Sequence, residues 1–215
     1  MLKIELISFD LDGTLVDSFK DIASSVNFML KETGLKEKSG PVITSYVGDG
    51  VEALIKRSIG EEDMSLFDSG LSIFKKYYAE HCADNATLYP GVKETLRHFN
   101  EKRKIIVTNR GYDSAVCILK TLGIYDYFDE IIGGDNTDCM KPSPCPLHNA
   151  IGKFNINDKK KAMMVGDMDI DIIAGKRAGM LTCAVTYGLG KKDDIVKIKP
   201  DYIIDNMEEL KNIVS

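Results

Sequence analysis

Ile7-Ser-Phe-Asp-Leu-Asp-Gly-Thr-Leu-Val-Asp17 runs from a short apolar strand into a glycine turn and carries two carboxylates, Asp10 and Asp12, two residues apart. Ile4, Leu6, Ile7 and Phe9 supply the apolar, β-prone character, and Gly13 ends the strand while letting the backbone approach a ligand closely. Both carboxylates are therefore expected at a strand's C-terminal end, where open α/β sheets place their ligands. With each residue type taken at roughly one in twenty, Asp-x-Asp-Gly-Thr arises by chance in such a chain with a probability on the order of one in several hundred. An Asp-Gly turn with helix-capping acids is the competing reading, and partners elsewhere in the chain weigh against it.

Outward from this segment, apolar runs alternate with helical patterns. Strands are expected at Ile4 to Phe9, Lys104 to Thr108, Glu130 to Gly133, Ala162 to Val165, Leu181 to Thr186 and Tyr202 to Ile204. Helices of crossover length are expected between most of them, at Pro90 to Lys102, Tyr112 to Leu122, Cys145 to Phe154 and Ile170 to Ala178. This alternation is the signature of a parallel, helix-covered sheet. The interval from Asp17 to about Leu88 differs, because it reads as consecutive helices. Ser18 and Asp21 form a capping-box pattern ahead of a helix to about Lys31, Gly34 and Gly40-Pro41 break it, and further helices are expected at Val51 to Ile59 and Asp63 to about His81. The expected fold class is α/β, a Rossmann-like parallel sheet core with a helical cap inserted after the first strand. The core would comprise residues 1–16 and 88–215 and the cap residues 17–87. The two crossings, near Leu15 to Ser18 and Thr87 to Gly91, can act as a hinge.

The chain has 215 residues, 44% hydrophobic and 28% charged, with a formal net charge of −5, which fits a globular protein and gives no nucleic-acid signature. No apolar run approaches a membrane span, and Met1-Leu-Lys-Ile-Glu5 lacks the h-region of a signal peptide, so a cytoplasmic protein with no membrane partner is expected. Oligomeric state is left at monomer or homodimer. The five cysteines are scattered without a Cys-x-x-Cys pair, so neither a zinc site nor a disulfide framework is expected, and the thiols are read as reduced and mostly packed.

Three later segments complete a site. Thr108-Asn109 ends the second core strand, Lys141-Pro142 follows Gly133-Gly134-Asp135, and Gly166-Asp-Met-Asp-Ile-Asp171 follows Met163-Met164-Val165. In a parallel sheet these loops converge on the edge that carries Asp10 and Asp12. Magnesium prefers oxygen ligands and keeps several waters, so Asp10, the Asp12 backbone carbonyl and Asp167 suffice to hold it. Asp169 and Asp171 also suit the first turn of a helix.

With these four segments in order, the chain resembles the haloacid dehalogenase-like superfamily, in particular its phosphoglycolate phosphatase-like branch. The resemblance spans nearly the whole chain. It implies a Rossmann-like core, magnesium dependence and phosphoryl transfer through an aspartyl-phosphate. Asp10 is then the nucleophile. Asp12 protonates the leaving alcohol and afterwards deprotonates the attacking water, one group serving in both directions. Thr108, Asn109 and Lys141 bind the phosphoryl oxygens, and Asp171 orients metal-bound water or Lys141. Dehalogenation is disfavoured, because the dehalogenases of this superfamily lack the second acid and a halide needs no proton.

Substrate choice is assigned to the cap. Val47-Gly-Asp-Gly-Val51 resembles that branch's glycine-rich cap segment, so Gly48, Asp49, Gly50 and Arg57 are candidate substrate contacts. Asp49 would repel an anionic substrate unless a cation intervened, Arg110 stands where lysine is common in that branch, and Met168-Asp169-Ile170 replaces a more usual Thr- or Ser-containing spacer. The expected partner is a small phosphorylated metabolite, with 2-phosphoglycolate one candidate among phosphomonoesters. A phosphosugar mutase, a pyrophosphatase and a catalytically weak phospho-metabolite sensor are the alternatives.

Overall fold

The computed structural model describes residues 1–215. In chain order the elements are β1 (Leu6–Phe9), β2 (Val16–Asp17), α1 (Phe19–Glu32), α2 (Gly40–Thr44), α3 (Val51–Ile59), α4 (Phe67–His81), β3 (Thr87–Leu88) and α5 (Val92–His98). Then follow β4 (Arg103–Val107), α6 (Tyr112–Thr121), β5 (Glu130–Ile132), α7 (Cys145–Lys153), β6 (Ala162–Gly166), α8 (Asp169–Ala178), β7 (Leu181–Val185), α9 (Lys192–Ile198), β8 (Tyr202–Ile204) and α10 (Leu210–Ile213). Six strands form one sheet in the order β5-β4-β1-β6-β7-β8, every neighbouring pair parallel. The chain builds β4 and β5 on one side of β1, then returns to build β6, β7 and β8 on the other. The strand order therefore reverses at β1, and the crevice above that reversal is where such sheets bind ligands.

Side-chain alternation explains how the sheet is covered. Ile7, Phe9, Ile106, Met163 and Val165 join one buried cluster, whereas Leu6, Ile105, Val107, Ala162 and Met164 join another on the opposite face. Both faces are apolar, as a parallel sheet requires. The first cluster continues into the helices between β2 and β3. Ile22, Val26, Met29 and Leu30 recur at helical spacing on α1 and pack with Leu54, Ile55 and Ile59 of α3 and Phe74 and Tyr78 of α4. The two connecting segments pair with one another as the antiparallel ribbon β2–β3, Val16 opposite Leu88 and Asp17 opposite Thr87.

Several local expectations are corrected. The Ser18–Asp21 capping box does not form: the Ser18 hydroxyl donates to Asp12 instead, and both Asp21 oxygens accept from the Asn85 backbone N–H, at 3.0 and 2.9 Å. Long-range partners win over the local cap. Gly40-Pro41 begins the short helix α2, with proline in the first turn where its missing N–H costs nothing. The helix expected from Pro90 is only Val92–His98, because Gly91 sits in the left-handed region at its start. Met64–Leu66 forms a 3₁₀ turn ahead of α4. Cys139 and Cys145 are not reduced thiols: they are joined in a disulfide with Cα atoms 6.2 Å apart, because the loop after β5 folds back to start α7. Cys82, Cys117 and Cys183 are free. No helix is long and apolar enough to cross a membrane.

Candidate active site

Asp10 stands one residue beyond β1, Thr108 and Asn109 directly follow β4, Lys141 lies in the loop between β5 and α7, and Asp167 directly follows β6. All of these side chains are buried, whereas Asp12, two residues beyond Asp10, is half-buried. The Asp10 N–H donates to the Val165 carbonyl at 2.9 Å, extending the ladder and fixing the backbone at the strand end. Lys141 Nζ donates to Asp10 Oδ1 and to Asp171 Oδ1, each at 2.6 Å. No donor reaches Asp10 Oδ2, which is left to the cavity.

Asp167 is fixed from three directions. The Thr14 hydroxyl donates to Oδ1 at 2.9 Å and the Leu189 N–H to Oδ2 at 2.8 Å. Gly13 packs so closely that a Cβ there would lie 2.2 Å from Asp167 Oδ2, and its φ of +86° also favours glycine. The glycine after the two acids thus admits the Asp167 carboxylate. Asp171, in the first turn of α8, accepts from the Met168 N–H at 3.0 Å and so caps its helix while holding Lys141.

The electrostatics of this cluster are unbalanced. Burial pushes the Asp10 carboxyl well above its ordinary range; Lys141 opposes this, while Asp171, Asp167 and Asp12 add to it. Asp167 is pushed up to about 7, by burial first and Asp171 second, against the pull of Leu189, Thr14 and Lys141. Burial also works against the Lys141 charge, but Asp10 and Asp171 outweigh it and hold the ammonium above the usual lysine value. Three buried carboxylates, with one oxygen of each within 4.8 Å of the others, thus share a single lysine. The hydrogen bonds Val16 N–H to Leu11 and Gly13 N–H to Val16 flank the Asp12 carbonyl and leave it without a donor. Carboxylate oxygens with excess negative charge and a free carbonyl fit a hard divalent cation such as magnesium.

Asp12 faces a different set. Arg110 Nε donates to Asp12 Oδ2 at 2.8 Å and Nη2 to Oδ1 at 2.5 Å, and the Ser18 hydroxyl also donates to Oδ1. Arg110 Nη1 donates to the Tyr78 hydroxyl on α4, and the guanidinium lies 5.1 Å from that ring's centre. The Asn109 side-chain N–H donates to the Gly48 and Lys141 carbonyls, each at 2.9 Å, while its oxygen accepts from the Lys141 N–H at 2.9 Å. The amide therefore clamps the Lys141 loop and ties it to the glycine-rich segment before α3. The Thr108 hydroxyl accepts from the Arg110 N–H at 3.1 Å and retains its own proton to donate.

These groups open into a cavity of about 720 Å³ lined by Asp10, Asp12, Thr108, Asn109, Arg110 and Lys141 below and by Gly48, Asp49 and Gly50 above, with Lys56 and Lys75 also on its wall. Arg57 is not on that wall; it donates to Asp49 Oδ2 and to the Tyr46 carbonyl, the latter at 3.0 Å. The cation that the Asp49 charge demanded is Arg57. Sequence reasoning missed Thr14, Tyr78 and the pairing role of Arg110. Arg110 had a signal, being a cation next to Thr108-Asn109, but nothing local pointed to its partner 98 residues away.

The sequence profile of the haloacid dehalogenase-like hydrolases matches residues 7–185. Phosphoglycolate phosphatase of Nitrosococcus oceani is 36% identical over 98% of this chain and 96% of its own length. The Neisseria meningitidis enzyme of the same name is 37% identical over 96% and 92%. A crystal structure described as a predicted phosphoglycolate phosphatase from Haemophilus somnus superposes with a TM-score of 0.93 at 33% identity, covering 99% of each chain. The chain belongs to the haloacid dehalogenase-like hydrolases.

Proposed function

We propose that the protein is a magnesium-dependent phosphatase that hydrolyses 2-phosphoglycolate or a closely related small phosphomonoester through an aspartyl-phosphate on Asp10. The observation that carries this reading is the chain Asp171–Lys141–Asp10, which holds one Asp10 oxygen and leaves the other free to the cavity. The curated relatives named for phosphoglycolate hydrolysis supply the substrate, and the Asp49–Arg57 pair removes the sequence-level objection to an anionic one.

Asp10 Oδ2 attacks phosphorus, and Lys141, whose third ammonium proton is uncommitted, donates to a phosphoryl oxygen together with the Thr108 hydroxyl. Asn109 acts through the loop, keeping the Lys141 backbone in register. Asp12 gives a proton to the departing alkoxide and takes one from the water that cleaves the acyl phosphate. Magnesium, held by Asp10, Asp167 and the Asp12 carbonyl with Asp171 beside them, would supply positive charge that offsets repulsion between the carboxylate nucleophile and the phosphate dianion. The helices of residues 17–87 serve as a cap over the site, with the β2–β3 ribbon as the two-stranded connection.

A substrate panel ranked by kcat/KM, with and without magnesium, tests this reading. Magnesium-dependent phosphate release led by 2-phosphoglycolate is expected; tight metabolite binding with no phosphate release across the panel would overturn it in favour of a sensor.

A further inference from the structure

We propose that Arg110 is a specificity-determining residue: the substrate's own carboxylate takes over the guanidinium from Asp12, so the acid/base is released when a carboxylate-bearing ester is bound. This rests on the phosphatase reading above and extends it to the choice of leaving group.

Asp12 is committed to the guanidinium in the arrangement observed. Both of its oxygens are engaged, Oδ2 by Arg110 Nε at 2.8 Å and Oδ1 by Arg110 Nη2 at 2.5 Å and by Ser18. Something must displace the guanidinium fork, and the best replacement is another carboxylate, which offers the same planar, two-oxygen partner. In 2-phosphoglycolate one carbon separates the carboxylate from the ester oxygen, so binding the phosphoryl group beside Asp10 brings the carboxylate next to the atom Asp12 must protonate. Exchanging one carboxylate for another keeps the buried arginine paired throughout. An ester without a carboxylate would have to break the Arg110–Asp12 pair and leave the guanidinium bare, which is costly in a buried setting.

The other cations do not fill this role. Lys141 is committed between Asp10 and Asp171, and Arg57 is committed to Asp49. Lys56 and Lys75 sit on the cavity wall but are exposed on α3 and α4 and carry no planar fork. Arg110 lines the same cavity, with only 7% of its side chain exposed. Tyr78 holds it from the helical side.

The test compares the full-length protein with Arg110→Met and Arg110→Lys, in magnesium, on 2-phosphoglycolate and on 2-hydroxyethyl phosphate, which carries a hydroxymethyl group in place of the carboxylate. The unmodified protein should prefer 2-phosphoglycolate in kcat/KM. That preference should shrink by about tenfold to a hundredfold in Arg110→Met, the usual consequence of losing a charge-assisted pair, and be partly restored in Arg110→Lys. A merely structural arginine would lower both substrates together and leave their ratio unchanged, which would overturn the inference. Equilibrium binding of two non-hydrolysable probes, 3-phosphonopropionate and propylphosphonate, gives the same ratio without turnover and decides the matter if Arg110→Met is folded but inactive. If the unmodified protein shows no preference for the carboxylate, the substrate reading fails and this inference with it. If the preference exists and survives in Arg110→Met, this inference alone fails.

Discussion

Replacing Lys141 with methionine keeps most of the side chain's volume but strands two buried carboxylates. The Lys141 side chain is 1% exposed, Asp171 is 0% and Asp10 10%, and the ammonium donates to both acids at 2.6 Å. Breaking a buried ion pair by removing one partner costs about 3–5 kcal/mol, because a charge is left without compensation. For a chain of this size each kcal/mol lowers Tm by about 2–4 °C, so a fall of about 6–20 °C is expected in metal-free buffer at pH 8. The loss should be smaller at pH 5, because burial already favours the protonated form of Asp10. Arg110 and Asn109 cannot substitute, since one pairs with Asp12 and the other clamps backbone. The double variant Lys141→Met/Asp171→Asn removes one stranded charge and should recover roughly half the stability, about 1.5–2.5 kcal/mol, without recovering turnover. Turnover should fall by about 10²–10³-fold in both, as expected for a lost transition-state donor. Urea denaturation at the two pH values and initial rates supply the measurements. A destabilisation under about 1 kcal/mol at pH 8, with no recovery in the double variant, would refute the reasoning.

The metal-free protein should lose stability as pH rises from about 4 to about 7, since Asp167 keeps its proton in the folded state up to about 7 whereas the unfolded chain releases it near 3.9. The folded state binds more protons in that window, so raising pH works against folding; thermal melts should show the slope, and Asp167→Asn or added magnesium should lessen it, Asp10 contributing with the same sign. Gly13→Ala places a methyl group 2.2 Å from Asp167 Oδ2 at a φ of +86°, so a loss of at least about 1–2 kcal/mol and roughly tenfold weaker magnesium binding are expected by denaturation and calorimetry. Arg57→Gln should change stability by less than about 1 kcal/mol and leave KM for 2-phosphoglycolate within about threefold, because the pair it breaks is 43% and 46% exposed and off the cavity wall. A KM rise above about tenfold would place Arg57 on the substrate.

The sheet strands were legible because a parallel strand buried on both faces writes a continuous apolar run, and three of these runs, β1, β4 and β6, lead directly into Asp10, Thr108 and Asp167. α3 was legible to the residue, since Val51 to Ile59 is bracketed by glycines that stop it. What failed was what depends on distant partners. Ser18 and Asp21 look like a cap in isolation, yet Asp12 and Asn85 compete for them across the fold. Cys139 and Cys145 meet only because the loop carrying Lys141 doubles back. The same limit governed the site. Local spacing identified the carboxylates and the lysine, but that Arg110 holds Asp12 and Arg57 neutralises Asp49 is set by packing between α3, α4 and the strand ends.

The most direct test of the account is a single-turnover reaction with excess enzyme and a phosphomonoester, quenched in acid and reduced with borohydride, which converts an aspartyl-phosphate to homoserine. Peptide mass spectrometry should find homoserine at position 10 in the unmodified protein and none in Asp10→Asn, which should also release no phosphate. Undiminished phosphate release by Asp10→Asn, or turnover with the reduced product at another carboxylate, would contradict Asp10 as the nucleophile.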